Sequence, residues 1–192
     1  MNQRRTPLAS SPLINPSVCS LILITPTHQD LASISRHRRN SVLRNFSAIT
    51  TAAHIVDVPV FLVSPGRQPG KHGLAKHLPV SSHREFMAGE HAFPWQDPLF
   101  TESVAREDKP VLVLAGFWLE HQVLATALHA LANCYDVYIL LDATPARERD
   151  AARLSQDRLI QAGATPVVTS QVIHEWSAES NDASRRAALS DL

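Results

Sequence analysis

The sequence predicts an α/β protein, a three-layer α/β/α, Rossmann-like domain on a mainly parallel sheet. Two observations carry that prediction. Within the span 110–142 the chain reads strand, helix, strand, and the same alternation of short aliphatic runs with helical-period segments continues on both sides. A βαβ unit makes its two strands parallel and its crossover right-handed, and repeated alternation of this kind gives one sheet covered on both faces.

The elements follow in order. Ser20–Ile24 reads as the first strand, since Leu21–Ile24 is a continuous aliphatic run without polar alternation, the mark of a strand buried on both faces. Thr25 to Asp30 reads as the loop at its carboxyl end. A crossover helix follows, with Leu43, Phe46, Ile49, Thr50 and Ala53 at helical spacing, and Arg36, Arg38, Arg39 and Arg44 as a solvated basic stretch. Val58–Val63 is the second strand with its proline near the start, and Ser64 to Ser82 is a long loop. Asp97 to Ala105 reads as a short helix. Val111–Ala115 is the central strand, ended by Gly116. From Leu119 to Leu131 the apolar positions 119, 123, 124, 127, 128 and 131 fall on one helix face. Tyr135–Leu141 is the next strand and ends at Asp142. Thr144 is expected to cap a helix with Pro145 at its first position, running to about Ala162 and stopped by Gly163. Thr165–Val168 is the last strand, and Ser170 is expected to cap a helix through Trp176. By composition, residues 1–16 form a flexible N-terminal arm, 17–180 the domain, and 181–192 a polar C-terminal tail, either frayed helix or disordered.

Composition sets limits on function. The chain has 192 residues, 44% hydrophobic and 19% charged, which suits one globular domain. Its eighteen basic and eighteen acidic residues cancel, so no field draws it to nucleic acid or to an anionic membrane. No apolar run approaches a membrane span. Two cysteines make no disulfide framework, and a cytoplasmic, reducing setting is the expectation.

The residues Gly116-Phe117-Trp118-Leu119-Glu120-His121-Gln122-Val123, followed by Cys134 to Ala143, resemble a specific pattern. A strand, then G-x-x-x-(D/E)-x-C-V opening a helix, then G-Y-x-V-x-(V/L)-x-D-A, is the signature of the isochorismatase-like cysteine hydrolases. Arg158 to Ala164 is similar to that family's R-M-x-x-A-G-A, and Trp95–Phe100 is similar to its W-D-(D/N)-P-x-F. The resemblance covers roughly Ser17 to Trp176. It implies a sixth strand within 83–93, and hence a six-stranded sheet. It also implies a cis peptide at Phe117–Trp118 and assembly into a homo-oligomer, through Ser64–Ser82 and the Trp176 helix.

The same resemblance shows what has changed. In these hydrolases a thiolate attacks a carbonyl or nitrile carbon, an aspartate takes the thiol proton, and a lysine steadies the charges. The cysteine's position holds Gln122. Thr25 stands in the aspartate's place, with Asp30 five residues further on. The lysine's place falls at Met87 or Ala88, and no lysine occurs between Lys76 and Lys109; Arg84 is the nearest cation. A glutamine amide is no nucleophile, and a threonine hydroxyl cannot supply a proton near neutral pH. Cys19 and Cys134 sit at structural positions, Cys134 where the family has a helix-ending glycine. Glu90, His91, Phe93, Trp95, Phe117, Trp118, His121 and Gln122 are the candidate lining of an apolar, aromatic pocket for a small-molecule ligand. The plainer alternative is that the aromatics fill the cavity themselves. His28, His91 and His121, with Glu90 or Glu120, raise a metal reading, but no spacing holds any pair on one face, so neither metal nor cofactor is assigned. Two functions compete. One is a family protein inactive by the Asp-Lys-Cys route that acts in binding or assembly. The other is a hydrolase of a small amide, nitrile or related substrate working through a relocated, non-cysteine site.

Overall fold

The computed structural model describes residues 12–64, 83–87 and 93–192. The expected long loop beyond Ser64, and the candidate residues Ala88, Glu90 and His91, lie outside the described residues. Six strands form one sheet: β1 (Cys19–Ile24), β2 (Val60–Ser64), β3 (His83–Met87), β4 (Val111–Gly116), β5 (Asp136–Leu140) and β6 (Thr165–Val167). Their spatial order is β3-β2-β1-β4-β5-β6, and every pairing is parallel. The three-layer α/β/α class is therefore as predicted, and the sixth strand lies where the resemblance put it.

The period of two along each strand divides the core into two layers. Leu21 and Leu23 of β1, Val60 and Leu62 of β2, and Val113 and Ala115 of β4 face one way. They meet α2 (Arg36–Ile55), α6 (Thr169–Glu179) and α7 (Ala183–Ser190) through Phe46, Ile49, Trp176 and Leu189. Ile22, Ile24, Phe61, Val63, Leu112 and Leu114 face the other way, onto α3 (Pro98–Arg106), α4 (Leu124–Ala132) and α5 (Arg149–Ala162). A strand that is apolar on both faces must be covered on both faces, which is why β1 reads as an unbroken aliphatic run.

Several boundaries differ from the sequence reading, each for a local reason. Thr25–Asp30 is not all loop: Thr27 caps a short helix, α1 (His28–Ser33), through a reciprocal capping box with Asp30. The helix expected from Leu119 opens instead with a π-helical turn, Leu119–Val123, before α4. The helix expected from Pro145 begins only at Arg149. The Pro145 carbonyl accepts the Leu119 N–H, and the Ala146 carbonyl accepts Arg38 Nη1, so both are held in long-range bonds. The helix expected from Ser170 starts at Thr169, whose N–H and hydroxyl donate to the Asp142 carboxylate at 2.9–3.1 Å. That carboxylate serves as the cap from 27 residues away. At the chain's ends, Ile14 is buried and its N–H donates to Glu175, and residues 183–190 form α7 with Leu189 in the core.

Among the described residues, two glycines have positive φ. Gly163 ends α5 at φ +105°, and a Cβ there would meet only Leu131 Cδ2, at an ordinary 3.9 Å. Gly116 ends β4 at φ +146°, and a Cβ there would lie 2.5 Å from both Cβ and the carbonyl oxygen of Ile24. Gly163→Ala meets backbone strain alone and is expected to cost about 1 kcal/mol. Gly116→Ala meets strain and a clash with backbone, and is expected to cost about 3 kcal/mol or more. Urea unfolding of the two variants checks this; equal midpoint shifts would show that the contact with Ile24 is not what demands glycine.

Candidate functional site

The strand order reverses between β1 and β4: the chain leaves β1 toward β2 and leaves β4 toward β5. In an open parallel sheet a crevice opens beyond the carboxyl ends of two such strands, and ligands bind there. Here the crevice lies between the segment after Ile24 and the segment after Gly116. The Phe117 N–H donates to the Ile24 carbonyl at 3.2 Å, closing the floor, and the Phe117–Trp118 peptide is cis, as the resemblance implies. Phe117 turns into the core and stacks on Phe46, with ring centroids 6.3 Å apart. Trp118 turns across the crevice.

The Trp118 indole is buried, and its Nε1–H donates to Asp30 Oδ1 at 2.8 Å. Asp30 Oδ2 accepts from the Thr27 N–H at 2.9 Å and from the Thr27 hydroxyl at 2.7 Å. The Arg147 guanidinium lies over the indole, 5.1 Å from the ring centre and 3.7 Å from Asp30 Oδ1. Arginine suits such a place because its planar group stacks and pairs at once. Burial by itself pushes the Asp30 carboxyl up, but the Thr27 and Trp118 hydrogen bonds and the Arg147 charge outweigh it and hold it below the usual carboxylate range. Trp118 therefore bridges β4 to the segment after β1 through an ionised acceptor.

Gln122 lies elsewhere. It is half-buried in the π-helical turn and lines a shallow, mostly apolar groove of about 830 Å³ with Phe93, His121, Leu128 and Arg158. Glu120 holds the next segment in place, since its Oε1 accepts the Arg147 N–H at 3.0 Å. The predicted pocket residues are thus divided. Phe93, His121 and Gln122 share the groove; Trp118 spans the crevice; Phe117 is core. Trp95 packs on Phe100 and Tyr135, with ring centroids 5.4 and 6.0 Å away.

An isochorismatase domain model matches residues 22–171. The chain belongs to the isochorismatase family. Solved structures show the same fold. YcaC from Pseudomonas aeruginosa, determined with hexane-2,5-diol and covalent acrylamide, is 18% identical with a TM-score of 0.78, over 94% of this chain and 91% of that one. YcaC from Escherichia coli, described as an octameric hydrolase of unknown specificity, is 20% identical with a TM-score of 0.77, over 95% and 91%. The MAR1 ribonuclease from Caenorhabditis elegans is 17% identical with a TM-score of 0.77, over 93% and 91%. No curated protein matches.

Within this isochorismatase fold the residues that the resemblance sets at the triad positions can be located. Thr25 directly follows β1 and is buried; its hydroxyl is 3.2 Å from the Val63 carbonyl and 3.0 Å from Ser64 Oγ, so it ties β1 to β2. Met87 ends β3 opposite Ser64, and Ala88 lies just beyond the described residues. Arg84, the nearest cation, is paired with Glu107 in the turn before β4 and donates to the Ser103 carbonyl. Those partners hold it toward the start of β3, away from the crevice. His28 and His121 are exposed, and no cluster of three metal-ligating side chains occurs among the described residues. No helix among them is long and apolar enough to cross a membrane.

Sequence reasoning missed Arg147, Arg38 and the role of Asp30. The Thr27-x-x-Asp30 spacing was the available signal, since it is a capping-box pattern. Nothing local announces that an arginine two residues past Pro145 folds back onto Trp118.

Trp118→Phe keeps a ring and removes the donor to Asp30. It is expected to destabilise the protein by about 1.5 kcal/mol at pH 7. The folded Asp30 value is the lowered one, so its contribution is present above the unfolded value of roughly 3.9 and is lost as pH falls through the folded value. The gap between wild type and Trp118→Phe in urea unfolding should narrow in that acid range. A gap that stays constant would assign the loss to packing alone.

Proposed function

We propose that this isochorismatase-family protein does not use the family's thiolate chemistry and acts as a binding or assembly protein. One observation carries the reading: both thiols are at the amino ends of the strands, away from the crevice. Cys19 is the first residue of β1, opposite Val111 at the start of β4, and Cys134 lies in the turn that leads into β5. The crevice is beyond the carboxyl ends. Cys19 is buried and its Sγ donates to the Asn15 carbonyl; burial pushes its pKa up to about 12, so it is a protonated thiol at neutral pH. Cys134 takes φ +65°, the left-handed position after α4 that the family fills with glycine. Loss of the nucleophile removes the covalent route, and members of such a unit act non-additively. The buried Trp118 indole, bonded to Asp30 across the crevice, supports the same reading.

The competing reading is hydrolysis through a relocated site. The descriptions of the neighbouring structures as a hydrolase and a ribonuclease favour it. It would rest on Arg84, Glu90, His91 or His121, of which Arg84 is paired with Glu107. For assembly, the octameric description of the Escherichia coli protein supports a homo-oligomer here as well. Trp176 itself is wholly buried within the chain, so any contact through α6 would use its other residues.

A panel of small amides, nitriles and isochorismate is expected to show no turnover above background with purified protein. Iodoacetamide should add one adduct to the native protein, at exposed Cys134, and a second only in denaturant, where Cys19 is uncovered. Turnover that survives Cys19→Ala and Cys134→Ala but disappears with Arg84→Ala, His91→Ala or His121→Ala would overturn the binding reading in favour of the relocated site. Light scattering at micromolar concentration is expected to give a multiple of the chain mass, and a monomer would count against assembly.

A further inference from the structure

We propose that the cavity beside Trp118 is a binding site for a small organic carboxylate, held by Arg38 and Arg147. The inference rests on the binding reading and names its ligand class. The cavity measures about 530 Å³, within the range of small-molecule sites. Its wall is built from three segments that meet at the reversal of strand order. Asp30, Ile34 and Arg38 come from the chain after β1, Trp118 from the turn after β4, and Arg147 from the segment after β5.

Charge decides the ligand class. Two guanidinium groups face one carboxylate, which leaves a single net positive charge in the wall. Asp30 is not available to a cation, because its two oxygens already accept from Trp118 and Thr27. The two arginines would also repel one. Both are held in place before any ligand arrives. Arg38 Nη1 donates to the Ala146 carbonyl at 3.0 Å, which leaves its other N–H groups free of that bond, and Arg147 rests on the indole. Prearranged guanidinium forks match the two oxygens of a carboxylate and lose less freedom on binding than mobile ones. The positive end of the twenty-residue helix α2, whose first turn has no acidic residue, adds to the same field. Ile34 and Trp118 supply the apolar part of the wall, where the body of an organic acid would lie. A single net charge fits one carboxylate better than a phosphate dianion.

The test is calorimetric titration with benzoate at fixed ionic strength, with acetate and inorganic phosphate in parallel and tryptophan emission followed in the same samples. Benzoate should bind saturably and shift the emission, acetate should bind more weakly, and phosphate should fail to compete. Arg38→Gln and Arg147→Gln, both at exposed positions, should each weaken benzoate about tenfold while circular dichroism stays unchanged. A response that never saturates, or unaltered binding in both variants, overturns the site. Phosphate competing as well as benzoate overturns the carboxylate assignment. The turnover panel is read separately: turnover by a protein that binds benzoate removes the non-catalytic reading and leaves the site standing.

Discussion

The architecture depends on how closely β4 approaches β1 at their carboxyl ends. These are the two central strands, paired from Cys19 and Val111 to Ile24 and Gly116, and each carries the remaining strands outward on its own side. At the last pair there is no room for a side chain on β4, because Ile24 stands where a Cβ would be. That contact lets the chain turn immediately after Gly116, put Phe117 into one core layer, and lay Trp118 over the seam. A bulkier residue would push the two strands apart where the crevice begins. The positions of Asp30, Trp118 and Arg147 relative to one another all follow from that spacing.

Much of the fold was legible in the residues, for a physical reason. Buried parallel strands need apolar side chains on both faces, so Leu21–Ile24 and Leu112–Ala115 are unmistakable, and α4 shows its inner face by spacing alone. Gly163 announces a helix end because glycine enters the left-handed backbone easily, whereas Cys134 takes that backbone without any such signal in its own side chain. What was not legible is what distant residues do to one another. The start of α5 is set by bonds from Leu119 and Arg38, and the start of α6 by Asp142, none of which is near in sequence. Local propensity would begin both helices elsewhere.

The candidate site divides in the same way. Gln122 and Thr25 stand out in sequence because each breaks a pattern, and the crevice's place could be foreseen from the order of strands and helices. Its contents could not. Asp30 reads as an acidic residue in a loop, yet it receives an indole and a capping threonine and stands beside an arginine from beyond β5. The aromatic residues expected to line one pocket are dispersed: Phe117 and Trp95 pack on core rings, Trp118 lies across the crevice under Arg147, and Phe93 lines the groove with Gln122. The family scaffold is retained where packing requires it. Polar bonds between neighbouring strands, such as Thr25 with Ser64, occupy a place where the resemblance sets chemistry.

The strand order also has a kinetic side. The β4–α4–β5 unit joins neighbours in sequence, whereas the β1–β4 seam pairs Cys19 with Val111 and must close a loop of some ninety residues. Loop closure of that length costs about 4 kcal/mol before contacts compensate it. Topologies dominated by such distant pairings fold slowly, with local units preceding the long-range seam. The crevice sits on that seam, so it comes into being only when the whole sheet has closed. A molecule that occupies it would therefore bind the native chain and none of its partly folded forms, and would hold the entire domain together rather than one corner of it.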